Sequence, residues 1–243
     1  MREYILKPMI PDKTVSVVIM DFRTDKESLC TLNRLNIKVI PTCKIDCIQD
    51  SVCSHADMMI HHLGGGDFVT ANEAYGYFKK VLPDANLIRG KNCLRSDYPH
   101  DILYNTAAFG RFAVCNKKFT AAEILERYSE IIDVKQGYAK CSICIVNDNA
   151  IITADRKIAQ ICGQNGIDVL KIEEGYIELK GMNYGFFGGA SGLIDKNILA
   201  LNGELKTHKN ADDIKAFCKN YQVEILELKG GVITDIGSIL PIS

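Results

Sequence analysis

Phe68-Val69-Thr70-Ala71-Asn72-Glu73 is a short apolar run that ends in a helix-start signal, and the pattern recurs along the chain. Thr70 followed three residues later by Glu73 reads as a capping box. The hydroxyl can accept from the backbone N–H three residues on, and the carboxylate can reach back to the Thr amide. The same box stands at Thr24-Asp25-Lys26-Glu27 and Thr120-Ala121-Ala122-Glu123, while Asp155, and Asn210 with Asp213, supply related start chemistry. Behind each start lies an apolar stripe at helical spacing: Leu29 and Leu32; Tyr75, Phe78 and Val81; Ile124, Tyr128 and Ile131; Ile158, Ile161 and Cys162; Ile214, Phe217 and Tyr221. Five helices are predicted.

Each helix is framed by short runs rich in Val and Ile, which read as strands. Residues 17–20, 68–70, 112–115, 151–153 and 198–201 precede the helices, and 37–40, 86–88, 132–134, 167–172 and 223–228 follow them. Asp21, Asn72, Asn116, Asp155 and Asn202 mark the register at intervals typical of tandem units. A further strand leads into units two to five, at 53–61, 100–105, 139–146 and 186–194, and the first unit lacks one. Pairing residues 233–240 with the strand that begins at Val15 would close five α/β units into a ring with no open edge.

The 243 residues are 47% hydrophobic and 24% charged, an ordinary globular composition, read as one domain over 1–243. With 29 Lys+Arg against 30 Asp+Glu and no basic run, no nucleic-acid partner is expected. No apolar stretch approaches the ~20 residues of a membrane span, so no membrane partner is expected. Charge and proline within the first eight residues interrupt any export signal, which suggests a cytoplasmic protein. Most of the ten cysteines then read as reduced core residues, with Cys30, Cys162 and Cys218 on helix stripes. Cys141 and Cys144 fall on a predicted strand and so face opposite ways, which argues against a dithiol or zinc pair.

Five such units, with the first completed from the C-terminus, resemble the pentein or α/β-propeller fold of the guanidino-group modifying enzymes. These are the amidinotransferases, the arginine and agmatine deiminases, and the dimethylarginine hydrolases. His55-Ala56-Asp57 resembles the His-x-Asp strand of arginine deiminases. The resemblance implies a catalytic role for His55 and guanidinium binding by Asp57. Tyr98-Pro99-His100-Asp101 loosely resembles the family's Arg-Asp-Pro strand in a different order. Where the family keeps a nucleophilic cysteine, this chain has Asp235-Ile236-Gly237-Ser238, with serine. The resemblance also extends to an anti-association factor of the large ribosomal subunit, which uses the same ring without catalysis.

The residues carry their own argument. Carboxylates bind guanidinium in its plane, and an imidazole beside a carboxylate suits proton transfer. On a strand His55 and Asp57 would share a face. Asp101 precedes Asn116 by the interval at which Asp57 precedes Asn72, so both acids are expected at the ring axis. Cys141 and Ser238 are the candidate nucleophiles, although Lys140 holds the register position of Asp57 and Cys141 is therefore expected to turn into the core. Gly188 and Gly189 are read as permitting close approach to a ligand, with Asp235 among the binding acids. Cys43, Cys47, Cys53, His55, Asp57, His61 and His62 lack zinc spacing, and neither metal nor cofactor is expected. The reading is a hydrolase or deiminase acting on a small guanidino or amide-bearing compound. The alternative is a non-catalytic pentein that binds a small cationic molecule, a protein or the ribosome.

Overall fold

Val17-Val18-Ile19-Met20 is buried along its whole length and forms the central strand of the first unit. The computed structural model, which describes residues 2–243, repeats that arrangement five times. Unit one contains β1 (Val17–Met20), α1 (Lys26–Arg34) and β2 (Lys38–Pro41). Unit two contains β3 (Ile60–Gly64), β4 (Asp67–Thr70), α2 (Tyr75–Val81) and β5 (Asn86–Arg89), and unit three contains β6 (Ala107–Phe109), β7 (Phe112–Cys115), α3 (Ala122–Leu125) and β8 (Glu130–Asp133). Unit four opens on a single helical turn, α4 (Ala139–Ser142), before β9 (Ile143–Asn147), β10 (Ala150–Thr153), α5 (Arg156–Gln164) and β11 (Asp168–Lys171). Unit five has β12 (Ser191–Asp195), β13 (Ile198–Leu201), α6 (Ala211–Asn220) and β14 (Glu224–Glu227), and β15 (Leu240–Pro241) returns to unit one.

Each central strand pairs antiparallel with its lead strand and, across the helix, parallel with an outer strand. The crossover helix makes the parallel pairing reachable and covers one face of the sheet. Central strands are almost wholly buried, whereas the outer strands are exposed at both ends and half-buried or buried between. Consecutive lead strands β6, β9, β12 and β15 pack against one another, which puts them innermost around the axis. The ring closes as expected, but with a shorter pairing: Val18 opposes Pro241 and Ile19 opposes Leu240. Ile236 and Ile239 bury against Val18, Met20 and Leu32 at the seam.

Two local expectations are corrected. The Thr-x-x-Glu segments do not cap helices. Thr24 Oγ1 donates back to the Asp21 carbonyl at 2.6 Å and Thr120 Oγ1 to that of Asn116 at 2.9 Å, closing turns, while Thr70 is the last residue of β4. The glutamates serve other segments: Glu27 accepts from Gly230 N, Glu123 from Lys91 N and Glu73 from Leu94 N. Gly230 and Lys91 each lie just past the preceding unit's outer strand, so the repeated glutamate ties neighbouring units together. Only Asp155 caps as expected, accepting from Lys157 N and Ile158 N at 2.7 and 2.9 Å. The third helix is a single turn, Ile131 lies in β8, and α1 buries Ser28 and Leu32, leaving Cys30 exposed.

The lead strands begin later than the apolar runs suggest. A 3-10 turn (Ala56–Met58) precedes β3 and α4 precedes β9, and both are fully buried. Both stretches are buried on every side, Asp57 and Lys140 included, so no exposed face sets a period that would separate a turn from a strand, and their backbone hydrogen bonds are local. Met58 N donates to His55 O, Met59 N to Ala56 O and Ser142 N to Tyr138 O. These turns fold over one end of the axis and carry the side chains described next. Among the described residues no helix is long and apolar enough to cross a membrane.

Candidate functional site

The turn at Ala56–Met58 presents Asp57, and α4 presents Cys141 across the axis from it. Cys141 Sγ donates to Asp57 Oδ2 at 3.1 Å, and Ser238 Oγ donates to the same oxygen at 2.6 Å. The expectation that Cys141 turns away is overturned, because a helical turn does not alternate its side chains as a strand does. Lys140 reaches the same cluster: its ammonium donates to Ser238 Oγ at 2.9 Å and to the Gly188 carbonyl at 3.2 Å. Asn105, at the end of the turn before β6, accepts from Lys140 N at 2.7 Å and donates to Cys141 Sγ at 3.2 Å.

His55 stands between two carboxylates, with Nδ1 3.9 Å from Asp235 Oδ1 and Nε2 3.9 Å from Asp21 Oδ2. Asp21 is itself held by Ser54 Oγ at 2.8 Å and by Arg23 at 2.7 Å. Asp235 accepts from Gly237 N at 2.9 Å and Phe186 N at 2.8 Å. His55, Asp57 and Cys141 bring one potential ligand atom each to within 4.8 Å of one another. The thiol donates its proton into that trio, the reverse of the thiolate a metal requires. Of the wider cysteine–histidine set, His61 bonds Tyr128 and His62 bonds the Gly65 carbonyl, away from this cluster.

Burial first, then the charges of Asp57 and Asp235, pushes the Cys141 thiol well above its ordinary pKa. Burial likewise raises Asp235, against the opposing pull of His55. Two buried polar atoms of the cluster, His55 Nδ1 and Asp57 Oδ1, have no hydrogen-bond partner among the described residues. Such atoms are costly unless something binds them.

Asp101 is placed differently. Its Oδ2 accepts from Tyr138 OH at 2.6 Å, its Oδ1 is buried without a partner, and burial raises its pKa. The acid that shares the axis with Asp57 is Asp235. Equal spacing from the register marks misleads here because the hairpins differ. Ile60 pairs with Thr70 three residues after Asp57, whereas Ala107 pairs with Val114 six residues after Asp101.

The glycines bring chain segments together. The space a side chain would need at Gly188 is filled by the backbone of Cys141 and Ile143, and at Gly189 by the Asp235 carboxylate. Gly189 O accepts from both Ile236 N and Ser238 N, locking the C-terminal segment against unit five. Gly237 packs directly on His55 at φ +65°, a place where any side chain would collide and strain the backbone. Ser238 follows at φ +75° and is fully buried.

A cavity of about 230 Å³ opens onto this cluster. His55, Cys141 and Asp235 form its polar end, and Tyr138, Tyr184 and Phe186 form an aromatic wall. Sequence reasoning missed Asn105 and Tyr138, and took Asp21 only as a register mark; Lys140 was visible as a cation beside Cys141 and by its register equivalence to Asp57.

Five three-stranded units around an axis, closed by the C-terminal strand, define a pentein-like α/β-propeller fold. The sequence matches the model of a family of unknown function, DUF6873, over residues 19–240, and the chain belongs to that family. Among solved structures it is similar to the agmatine deiminase of C. jejuni, with TM-score 0.57 at 9% identity over 93% of this chain and 91% of that one. It is also similar to SxtG, an amidinotransferase of the saxitoxin biosynthetic pathway from Microseira wollei, with TM-score 0.54 at 10% identity over 91% of each chain. DDAH from Pseudomonas aeruginosa, in complex with citrulline, gives 0.52 at 9% identity over 88% of this chain and 93% of that one. At such identities the likeness is one of fold. No curated protein matches the sequence significantly.

Proposed function

We propose that the protein is a hydrolase or deiminase acting on a C–N bond of a small guanidino or related amide-bearing compound held in the axial cavity. The observation that carries this reading is the Cys141 thiol and the Asp235 carboxylate at the polar end of an aromatic-walled cavity, with the unpartnered Asp57 Oδ1 buried directly behind the thiol. A guanidinium is a planar cation with in-plane N–H donors, which matches a carboxylate oxygen lacking a donor. Its charge would offset Asp57 and Asp235, the acids that hold the thiol protonated, so substrate binding itself would lower the thiol's pKa.

In this scheme the Cys141 proton passes to Asp57 and the sulfur adds to the central carbon. The tetrahedral adduct expels ammonia, which leaves with a proton from His55. Water then attacks the carbon, gives one proton to His55, and displaces the sulfur, which recovers its proton from Asp57. The second proton of the water passes through solvent to the ammonia, so the sum is one water consumed and one ammonium released. Ser238 and Lys140 support Asp57 from below, through a chain in which the ammonium donates to the hydroxyl and the hydroxyl to the carboxylate.

One observation favours binding without turnover. The free thiol is kept neutral by burial and two acids, and a neutral thiol is a weak nucleophile. The two readings part in one experiment. Arginine, agmatine and methylated arginines are screened by thermal shift, and binders are assayed for ammonia and for citrulline-type products. Stabilisation with turnover that disappears in Cys141→Ala supports catalysis. Stabilisation without turnover selects the binding reading, and no stabilisation by any guanidino compound removes both.

A further inference from the structure

A second cavity, about 120 Å³, lies beside the axial one and shares Tyr184 and Phe186 with it as a wall. Its lining is acidic and aromatic. Asp155, Glu173 and Glu174 supply carboxylates, and no Lys or Arg lines it. His208 adds no positive charge, because burial lowers its pKa and its Nδ1 accepts from Asn210 N at 3.0 Å. The aromatic faces of Phe187 and Tyr184 complete the box.

An acidic lining alone would be a solvated surface. Ser142 makes this one different. It is 3% exposed, it lines the cavity directly after Cys141, and its Oγ has no hydrogen-bond partner among the described residues. A buried hydroxyl in that state calls for a polar occupant. The neighbouring carboxylates are only partly used. Asp155 Oδ1 caps α5 while Oδ2 takes a long 3.3 Å contact from Gln136, and Glu174 Oε2 accepts from Tyr184 OH at 3.1 Å. Glu173 is neutralised by Lys209 at 2.7 Å.

We infer that this cavity is a binding site for a protonated primary amine, separate from the axial site. The ammonium's three N–H groups find Asp155 Oδ2, Glu174 and Ser142 Oγ, and its charge lies against aromatic faces, the pairing that favours organic cations. The site has a built-in competitor. Tyr184 OH occupies Glu174, so an arriving ammonium displaces it, and Tyr184 also lines the axial cavity. Occupation of the amine site therefore alters the wall of the axial one.

The probe is n-propylamine, which has no guanidino group, with n-propanol as the neutral control, titrated calorimetrically into the full chain. Propylamine is expected to saturate one site and propanol to give no binding. Glu174→Gln and Asp155→Asn, the second keeping a helix-capping side chain, should each weaken propylamine by roughly tenfold through loss of a charge-assisted hydrogen bond. Tyr184→Phe should tighten it by removing the competitor, while Cys141→Ala and Asp57→Asn should leave it unchanged. The inference is overturned by any of three results: no saturable binding to the wild type, affinity unmoved in both acidic variants, or binding lost with Cys141 or Asp57, which would put the amine in the axial cavity. None of these outcomes depends on whether guanidino compounds bind.

Discussion

The turns that lead into β3 and β6 belong to neighbouring units of one plan, yet they deliver different chemistry to the axis. The unit-two turn is a buried 3-10 turn only a residue from its strand, and it delivers His55 and Asp57. In unit three six residues rather than three separate Asp101 from the first paired residue, so Asp101 stops short behind Tyr138 and Asn105 enters the cluster instead. An amide there can bind the Cys141 sulfur and two backbone N–H groups, but it adds no charge. In a ring of repeats, hairpin length and turn type decide which side chain reaches the centre.

The largest expected effect comes from removing the third such segment, the one that closes the ring. Ending the chain after Gly231 deletes Ile233, Ile236, Ile239, Leu240 and Ile242, all buried. At about 1.5–3 kcal/mol for each side chain, the loss matches a typical total stability. The truncated chain should show no cooperative unfolding transition. A sharp melt would mean that the C-terminal segment is an accessory rather than part of the frame.

Next in size is the contrast between the two acids. Asp57→Asn should abolish stabilisation by any guanidino ligand, whereas Asp101→Asn, which acts through Tyr138, should weaken it by about tenfold or less. Equal effects in ligand-induced melting shifts would show that both carboxylates touch the ligand, and would erase the distinction between the turns. Ser238→Ala removes a donor to Asp57 and should reduce ligand affinity without abolishing it.

The lead strands themselves differ in pH response. β3 carries His61 and His62, both buried, with pKa values lowered by burial to about 3 and about 4, whereas β6 carries Ala107, Ala108 and Phe109. Above the ordinary histidine value both rings are neutral in the folded and unfolded chain, and they contribute no pH dependence. Below it the unfolded chain binds protons that the folded chain refuses, so stability falls as pH drops from about 6.5 towards 4. The slope approaches about 1.4 kcal/mol per pH unit for each ring. Hydrogen exchange at acid pH should loosen β3 before β6, and His61→Gln should flatten the dependence of the melting temperature on pH. A profile unchanged in that variant would refute the assignment.

The smallest effect is a labelling pattern. Cys53, just ahead of the unit-two turn, is buried and should react slowly with a thiol reagent in the native state, as should Cys162 and Cys218. Cys93, ahead of the unit-three turn, is exposed together with Cys30 and Cys47, and these three should react quickly. Slow labelling of Cys93 would mean that the unit-three approach is packed as tightly as its neighbour.

What the sequence determined by itself is the frame. Short apolar runs, helix stripes and recurring Asn or Asp marks specify central strand, helix and outer strand, because those elements are set by local periodicity and by which face meets the core. His55, Asp57, Cys141 and Ser238 were visible as candidates from residue type and position. Their arrangement was not, because Ala56–Met58 and Ala139–Ser142 are buried on all sides and carry no periodicity to separate a turn from a strand. The tertiary structure alone decided that Cys141 faces Asp57, that Asp235 rather than Asp101 is the second axial acid, and that Lys140 lies beneath them. Each follows from turns whose backbone bonds close locally, and from glycines that let distant segments meet at the axis.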